Sequence, residues 1–290
     1  MTSGKVMVSV VMITYNHEKY IGEAILGVLN QNVDFEIELI VSDDCSPDNT
    51  CSIVENIIKN HPRGSIIKYF KHKINLGVKV NGDFAYNKCL GKYIALCEGD
   101  DFWIEPSKLQ KQINILENCP DYAFCFHNAK YFNQSKGEFQ KNYSIFLENR
   151  DFSLDDFILQ NYVPTASVVF ERELFIPIPE WYKDVQYGDY AIYLLILFKS
   201  NKKAYYLSDI MSVYRIHSEG IFSSLEESDA GQINKSLHFI NLFKIIQKKV
   251  FYDKYKKSTK KILSFHYSQL IFTLYKKNSF FKALSYMIIL

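Results

Sequence analysis

No apolar stretch in this 290-residue chain approaches the ~20 residues that a membrane-spanning helix needs; the longest, residues 190–198, falls far short. The six cysteines (Cys45, Cys51, Cys89, Cys97, Cys119 and Cys125) include no CxxC pair, which points to free thiols in a reducing compartment rather than a disulfide frame. There is no internal repeat and no low-complexity segment. Residues 6–20 contain no glycine and, of Lys and Arg, only Lys19, so they form no glycine-rich basic phosphate loop. Residues 1–5 lead straight into a strand pattern without a leader signature, and the expectation is a cytoplasmic protein. Carboxylates nearly vanish toward the C-terminal end. From 235 to 290, Asp253 stands alone against 12 lysines, so a formal net charge of +2 divides into −9 for residues 1–234 and +11 for the remainder. An acidic body with a basic tail is expected to meet an anionic surface, membrane lipid before nucleic acid.

What is present is an ordinary globular composition, 48% hydrophobic and 23% charged, long enough for one large domain with an appendage. Aromatics at 16% suit stacking on sugars or bases. Residues 6–14 are a near-continuous β-branched run, read as a buried parallel-type strand, and residues 36–41, 66–70 and 93–97 follow the same pattern. Helical faces fall between them: Ile21, Ala24, Ile25, Val28 and Leu29, then Ile53, Val54, Ile57 and Ile58. Asn16 is expected to cap the first helix, Ser46-Pro47 to open the second, and Gly91 to close a short third one over 81–90. Leu109, Ile113 and Leu116 mark a fourth, after Glu105-Pro106. The alternation predicts an α/β fold, an open and mostly parallel sheet with helices on both sides. In such sheets ligands bind outside the carboxyl ends of the strands. Farther on, the pattern gives a strand over 122–132, a polar loop over 134–150, a helix within 151–160, a strand over 166–170, a helix over 191–199 and a strand over 204–217. From about 225 it is helical and lysine-rich.

The strand at 93–97 runs into Glu98-Gly99-Asp100-Asp101-Phe102-Trp103. Adjacent aspartates repel and raise each other's pKa. A bound Mg²⁺ or Mn²⁺ removes that cost and keeps positions open for phosphate and water. An acidic turn capping the next helix is the plainer reading of the same residues.

Three motifs, Val8-Ser9-Val10-Val11-Met12-Ile13-Thr14-Tyr15-Asn16, Ile40-Val41-Ser42-Asp43-Asp44-Cys45-Ser46-Pro47-Asp48 and Gly91-Lys92-Tyr93-Ile94-Ala95-Leu96 leading into Asp100-Asp101, resemble in this order those of family-2 glycosyltransferases. Tyr187-Gly188-Asp189-Tyr190 and Tyr214-Arg215-Ile216-His217 resemble later motifs of the same family. The resemblance implies a GT-A (Rossmann-like) nucleotide-sugar-binding domain over residues 1–224, and it does not cover the basic helical segment over 225–290. It implies that Asp44 accepts a hydrogen bond from a uracil ring, with Thr14, Tyr15 and Asn16 edging the nucleotide pocket. Asp101 would hold the metal, with His217 as a further ligand or a diphosphate donor, and Asp100 would contact ribose or metal. Asp189 would be the catalytic base, although Gly188 stands where the family usually has Glu. By residue chemistry, Arg215 suits phosphate, Lys79 could reach a diphosphate, Phe102 and Trp103 could wall the sugar site, and Thr165 and Ser167 could line the acceptor site. Plainer readings stand beside these: a helix cap for Asp189, a structural histidine at 217, a buried ion pair for Arg215, core packing for Trp103.

Taken together, the expectation is a Mn²⁺- or Mg²⁺-dependent inverting transferase, moving a sugar from a UDP-sugar to a glycan or polyprenol-linked acceptor in surface polysaccharide synthesis. It would be cytoplasmic and peripheral at the inner face of the cell membrane, touching it through the basic C-terminal helices, with no nucleic-acid partner. A nucleotidyltransferase on a related sheet, and a non-catalytic protein that binds a sugar nucleotide or a partner, are the alternatives.

Overall fold

The computed structural model describes residues 5–186, 188–218, 220, 228–277 and 279–287. In chain order the elements are β1 (Val8–Thr14), α1 (Ile21–Leu29), β2 (Ile37–Asp43), α2 (Thr50–Asn60), β3 (Ile67–Lys71), α3 (Val78–Lys88), β4 (Tyr93–Leu96), β5 (Phe102–Trp103), α4 (Lys108–Asn118), β6 (Tyr122–Asn133), β7 (Glu138–Asn142), β8 (Arg150–Phe152), α5 (Leu154–Leu159), β9 (Val169–Glu171), α6 (Gly188–Ser200), β10 (Lys203–Ile216), α7 (Asp229–Ile246), α8 (Lys256–Lys276) and α9 (Phe280–Met287). They form two compact units that interleave along the chain. One comprises Met1–Phe152, Tyr162–Pro179 and Ser200–Arg215; the other comprises Ser153–Asn161, Glu180–Lys199 and Ile216–Leu290. The boundary expected between 224 and 225 lies outside the described residues.

The first unit carries the sheet, in the order β3-β2-β1-β4-β9-β6-β10-β5, with β7 on β6 and β8 on β10. It is the expected α/β architecture, and its first four strands are parallel. Beyond β4 the sheet is mixed, since β9 runs antiparallel to both β4 and β6. The strands form where apolar runs can be buried on both faces: all seven residues of β2 and all four of β4 are buried. Ile21, Ala24, Ile25 and Val28 of α1, with Leu109, Ile113 and Leu116 of α4, share one core with Val8, Val10 and Met12 of β1. Each such Val, Ile, Leu or Met side chain contributes about 1.5–3 kcal/mol when fully buried. Register sets Thr14 beside Asp43 and Val11 beside Leu96, so the carboxyl ends of β1, β2 and β4 finish side by side.

Several local expectations give way to tertiary partners. Asn16 does not cap α1; it sits at φ 60°, and the helix begins later, at Ile21. Ser46 does not cap α2, which starts at Thr50, because the Ser46 hydroxyl accepts the Asn16 amide instead. Gly91 is not a helix cap either. It is glycine because a Cβ there would come within 2.5 Å of the Ser9 nitrogen. The polar loop expected over 134–150 contains β7, paired antiparallel to β6.

In the second unit, α6 is buried continuously from Tyr190 to Leu197, as a helix apolar on all sides must be. α5 opens with a capping box between Ser153 and Asp156. Ile240 of α7, Tyr267, Leu270 and Leu274 of α8 and Ala283 of α9 form a separate core. Among the described residues no helix is long and apolar enough to cross a membrane.

Candidate functional site

The site grows from the three aligned strand ends. Past Thr14, the chain turns sharply through Asn16, and three successive amides find partners in the loop after β2. The Asn16 N–H donates to Ser46 Oγ (3.0 Å), His17 to Thr50 Oγ1 (3.0 Å) and Glu18 to Asp48 Oδ2 (2.8 Å). This locks the exit of β1 and leaves Tyr15 45% exposed.

The two aspartates that end β2 differ. Asp43 is wired into the interior, accepting the Ser46 amide on Oδ1 (2.8 Å) and the Tyr69 hydroxyl on Oδ2 (2.6 Å). Burial, reinforced by that hydrogen bond, pushes the Tyr69 phenol well up. Asp44 donates its amide to the Thr14 carbonyl and turns its carboxylate toward the turn after β3, where Leu76 N–H donates to Oδ1 (2.6 Å) and Gly77 N–H to Oδ2 (2.8 Å). Gly77 sits at φ 84°, which glycine adopts without strain. Each Asp44 oxygen keeps a further lone pair for another donor.

The β4–β5 turn presses onto the same place. A Cβ on Gly99 would lie 2.8 Å from Thr14 Oγ1 and 2.9 Å from His17 Nδ1, so only glycine permits the approach. His17 Nε2 stands 3.9 Å from Asp100 Oδ2. Asp101 is 2% exposed; its Oδ1 accepts the Arg215 amide (2.9 Å), and its Oδ2 has no hydrogen-bond partner among the described residues. Burial, with the charge of Asp100 beside it, pushes the Asp101 carboxyl well above the usual carboxylate range, against the lowering effect of the Arg215 amide and guanidinium. A buried carboxylate oxygen left without a donor is costly unless something cationic meets it. No cluster of three or more His, Cys, Asp or Glu ligands exists among the described residues. Carboxylate oxygens are the donors that Mg²⁺ or Mn²⁺ takes. The residues present therefore fit a divalent cation at Asp101, with Asp100 adjacent.

Arg215 takes the ion-pair alternative. Its Nε donates to the Asp100 carbonyl (2.8 Å), Nη1 to Gln134 (2.6 Å) and Nη2 to Glu23 (2.6 Å), and its plane lies over the rings of Phe102 and Tyr20. It clasps the acidic turn from the end of β10. Lys79 pairs within α3 with Asp83, one turn ahead (2.6 Å). Trp103 packs in the core, its indole N–H donating to the Ala166 carbonyl (2.7 Å) and Lys108 Nζ lying 3.9 Å from its ring centroid. Thr165 and Ser167 form a short 3-10 turn around that carbonyl, and Ser167 is fully buried. The structure thus brings Thr14, Asn16, Asp44, Asp100 and Asp101 to one sheet edge, buries Trp103 and Ser167, and pairs Lys79 with Asp83.

Two candidate residues belong to the second unit. Asp189 lies in the first turn of α6, where its Oδ1 accepts the Tyr190 amide (2.8 Å); it is inside the helix and not its cap. A Cβ on Gly188 would collide with the Tyr182 hydroxyl, so a side chain at 188 requires Tyr182 to move. His217 is buried, and its carbonyl accepts the Gly220 amide. Tyr187 lies outside the described residues. Two further residues stand at the acidic turn. His17, an ionisable residue directly after a strand end, carries a sequence signal. Tyr214 carries one only as part of its motif, since the fold alone sets its phenol, driven up by burial, among the charges of Asp101, Glu98 and Asp100.

Residues 9–174 match the family model of glycosyl transferase family 2. The chain belongs to that family. An uncharacterized protein of Mycobacterium tuberculosis is 32% identical over 226 residues, 74% of this chain and 60% of its own length, so the chain spans about three-fifths of that relative. A GalNAc(5)-diNAcBac-PP-undecaprenol beta-1,3-glucosyltransferase of Campylobacter jejuni is 25% identical over 281 residues, 95% of this chain and 85% of its own. Among solved structures, S. aureus TarS 1-349 in complex with UDP-GlcNAc aligns with a TM-score of 0.69 at 20% identity, covering 96% of this chain and 81% of that one. The mannosyltransferase PcManGT of Pyrobaculum calidifontis in complex with GDP-Man and Mn²⁺ gives 0.66 at 16% identity, covering 99% and 75%. At these identities the likeness establishes the shared fold.

Proposed function

We propose that this chain is a metal-dependent inverting glycosyltransferase that takes a sugar from a nucleotide sugar, UDP-linked first, to a glycan or polyprenol-linked acceptor of surface polysaccharide, at the cytoplasmic face of a membrane reached through its basic C-terminal helices. One observation carries the reading: the buried Oδ2 of Asp101, without a hydrogen-bond partner among the described residues, beside Asp100 on the sheet edge that also ends in Asp44. Family membership, and relatives and neighbours whose names give undecaprenol-linked acceptors, UDP-GlcNAc and GDP-Man with Mn²⁺, support the substrate classes. That membership also displaces a nucleotidyltransferase reading.

In this scheme Asp44, anchored by two amides, accepts the imide N–H of uracil, a charge-assisted and selective contact. Thr14 and Asn16 edge the base and ribose. Asp101, with Asp100, would hold Mn²⁺ or Mg²⁺, which when bound offsets the charge of the departing diphosphate. Arg215 keeps the acidic turn in place through the Asp100 carbonyl and the Asp101 carboxylate. Asp189 takes the proton of the acceptor hydroxyl as its oxygen bonds to the anomeric carbon and the bond from that carbon to the diphosphate oxygen breaks. The proton ends on Asp189, and the nucleoside diphosphate leaves. The Asp189 role rests on motif order and carboxylate chemistry, and His217 is proposed as a further ligand on the same grounds.

Thermal stabilisation by UDP-sugars with and without Mn²⁺ tests the reading, since ligands raise apparent stability by mass action. The expected result is a shift with UDP-sugar that grows with Mn²⁺, accompanied by slow UDP release. Asp101→Asn should lose the Mn²⁺-dependent part. If it keeps that part in full, the metal assignment is wrong; if no nucleotide sugar shifts the native chain, sugar transfer is wrong.

A further inference from the structure

The basic tail has a second feature that its charge alone does not reveal. On α8, Phe265, Phe272 and Tyr275 are 54%, 58% and 59% exposed, and at 3.6 residues per turn they share one face with Lys257, Lys261 and Lys276. The reverse face, Ile262, Tyr267, Leu270 and Leu274, is buried. α8 contains no Asp or Glu to oppose the lysines, and Lys276 Nζ lies 4.6 Å from the Phe272 ring centroid. A single exposed phenylalanine needs no explanation. A stripe of three rings with lysines at both ends does, because a face designed only for water has no use for them.

We propose that this face of α8 docks the chain on an anionic lipid bilayer, rings at the boundary between acyl chains and headgroups, lysines among the phosphates. Charge decides the occupant. The segment from 235 carries +11 where the rest of the chain carries −9, so an anionic surface complements it, whereas a second copy of this face would set lysine against lysine. Rings with apolar bodies and lysines with long aliphatic stems are the combination that settles in a bilayer interface without crossing it. The proposal rests on and deepens the membrane clause of the proposed function; it requires neither nucleotide nor metal, so it can fail while sugar transfer stands, and sugar transfer can fail while it stands.

The test is co-sedimentation of the full chain with vesicles of phosphatidylcholine alone, or of equimolar phosphatidylcholine and phosphatidylglycerol, in low and high salt. Binding is expected on the mixed vesicles only, with release by high salt. Each lysine changed to Gln (Lys257, Lys261, Lys276) should weaken it about fivefold, and all three about a hundredfold. Phe265→Ser with Phe272→Ser should also release the chain, while the UDP-sugar thermal shift of both variants stays at the native value. Equal binding to neutral vesicles, no binding to either, or a triple lysine variant that binds like the native chain would overturn the proposal. So would a native dimer in sedimentation velocity that the double phenylalanine variant abolishes, which would assign the face to a second copy. The lysine variant alters only exposed side chains, so the test survives if the phenylalanine variant misfolds.

Discussion

At the scale of single residues, the informative groups are carboxylates with different degrees of commitment. Asp43 spends both oxygens on its own fold, Asp44 spends one lone pair of each on the Leu76–Gly77 amides, and Asp101 keeps one oxygen without a donor among the described residues. Asp44→Asn places an amide N–H against a backbone N–H whichever way it turns, a loss of about 1–3 kcal/mol. UDP affinity should fall by at least tenfold in calorimetric titration, while Asp43→Asn should lower the melting temperature more than the affinity. Arg215 holds the acidic turn by geometry as well as charge, and lysine cannot reproduce three divergent donors. Arg215→Lys should therefore weaken Mn²⁺ binding by about tenfold or more, the usual cost of losing a group that orients a ligand, as read by Mn²⁺ titration of the UDP-dependent thermal shift. Asp189→Asn should keep the UDP-sugar shift and lower transfer by about a hundredfold or more. Aspartate positions were readable from sequence because strand ends are. Their commitments were not, since Tyr69, Leu76 and Arg215 are remote in the chain from the carboxylates they bind.

At the scale of elements, apolar runs gave strands 1 to 4 and their helices within a few residues, because burial on both faces leaves β-branched runs little alternative. Three residues with capping chemistry do not cap, for one physical reason. Ser46, Asn16 and Gly91 have the right chemistry for helix ends, but a better partner was within reach across the sheet: Ser46 takes the Asn16 amide, and Gly91 admits the backbone of Ser9. Gly27 makes the same point inside α1, where glycine is a poor helix former. A Cβ there would meet the backbone of Trp103 at 2.8 Å and 2.9 Å, so the glycine lets α1 lie against β5. Gly27→Ala should gain helix propensity yet lose about 1–3 kcal/mol net by overpacking against unyielding backbone, which urea unfolding would register as a lower midpoint.

At the scale of the whole molecule, charge and burial set conditions that no element shows alone. Lys108 is fully buried, its ammonium over the Trp103 ring and donating to Gln112 (2.8 Å), and burial pushes its pKa down from 10.5 to about 7. Between those two values the unfolded chain holds a proton that the folded chain lacks, so stability rises with pH across that window; below about 7 both states hold it and the full cost of the buried charge is felt. Lys108→Met should be more stable near neutral pH, by an amount on the order of 4 kcal/mol at most, and should flatten the rise seen by urea unfolding at the two ends of the window. By itself the sequence determined the strand and helix alternation, the carboxylates that would end each strand, and the split between an acidic body and a basic tail, because periodicity, residue chemistry and charge are carried along the chain. Only the tertiary structure decided that the sheet turns mixed beyond β4, that Arg215 and Lys79 are tied to protein carboxylates, that Trp103 is core, and that α8 keeps three rings in water. Those outcomes depend on which distant groups come within hydrogen-bonding or van der Waals reach, and such distances exist only once the chain has folded.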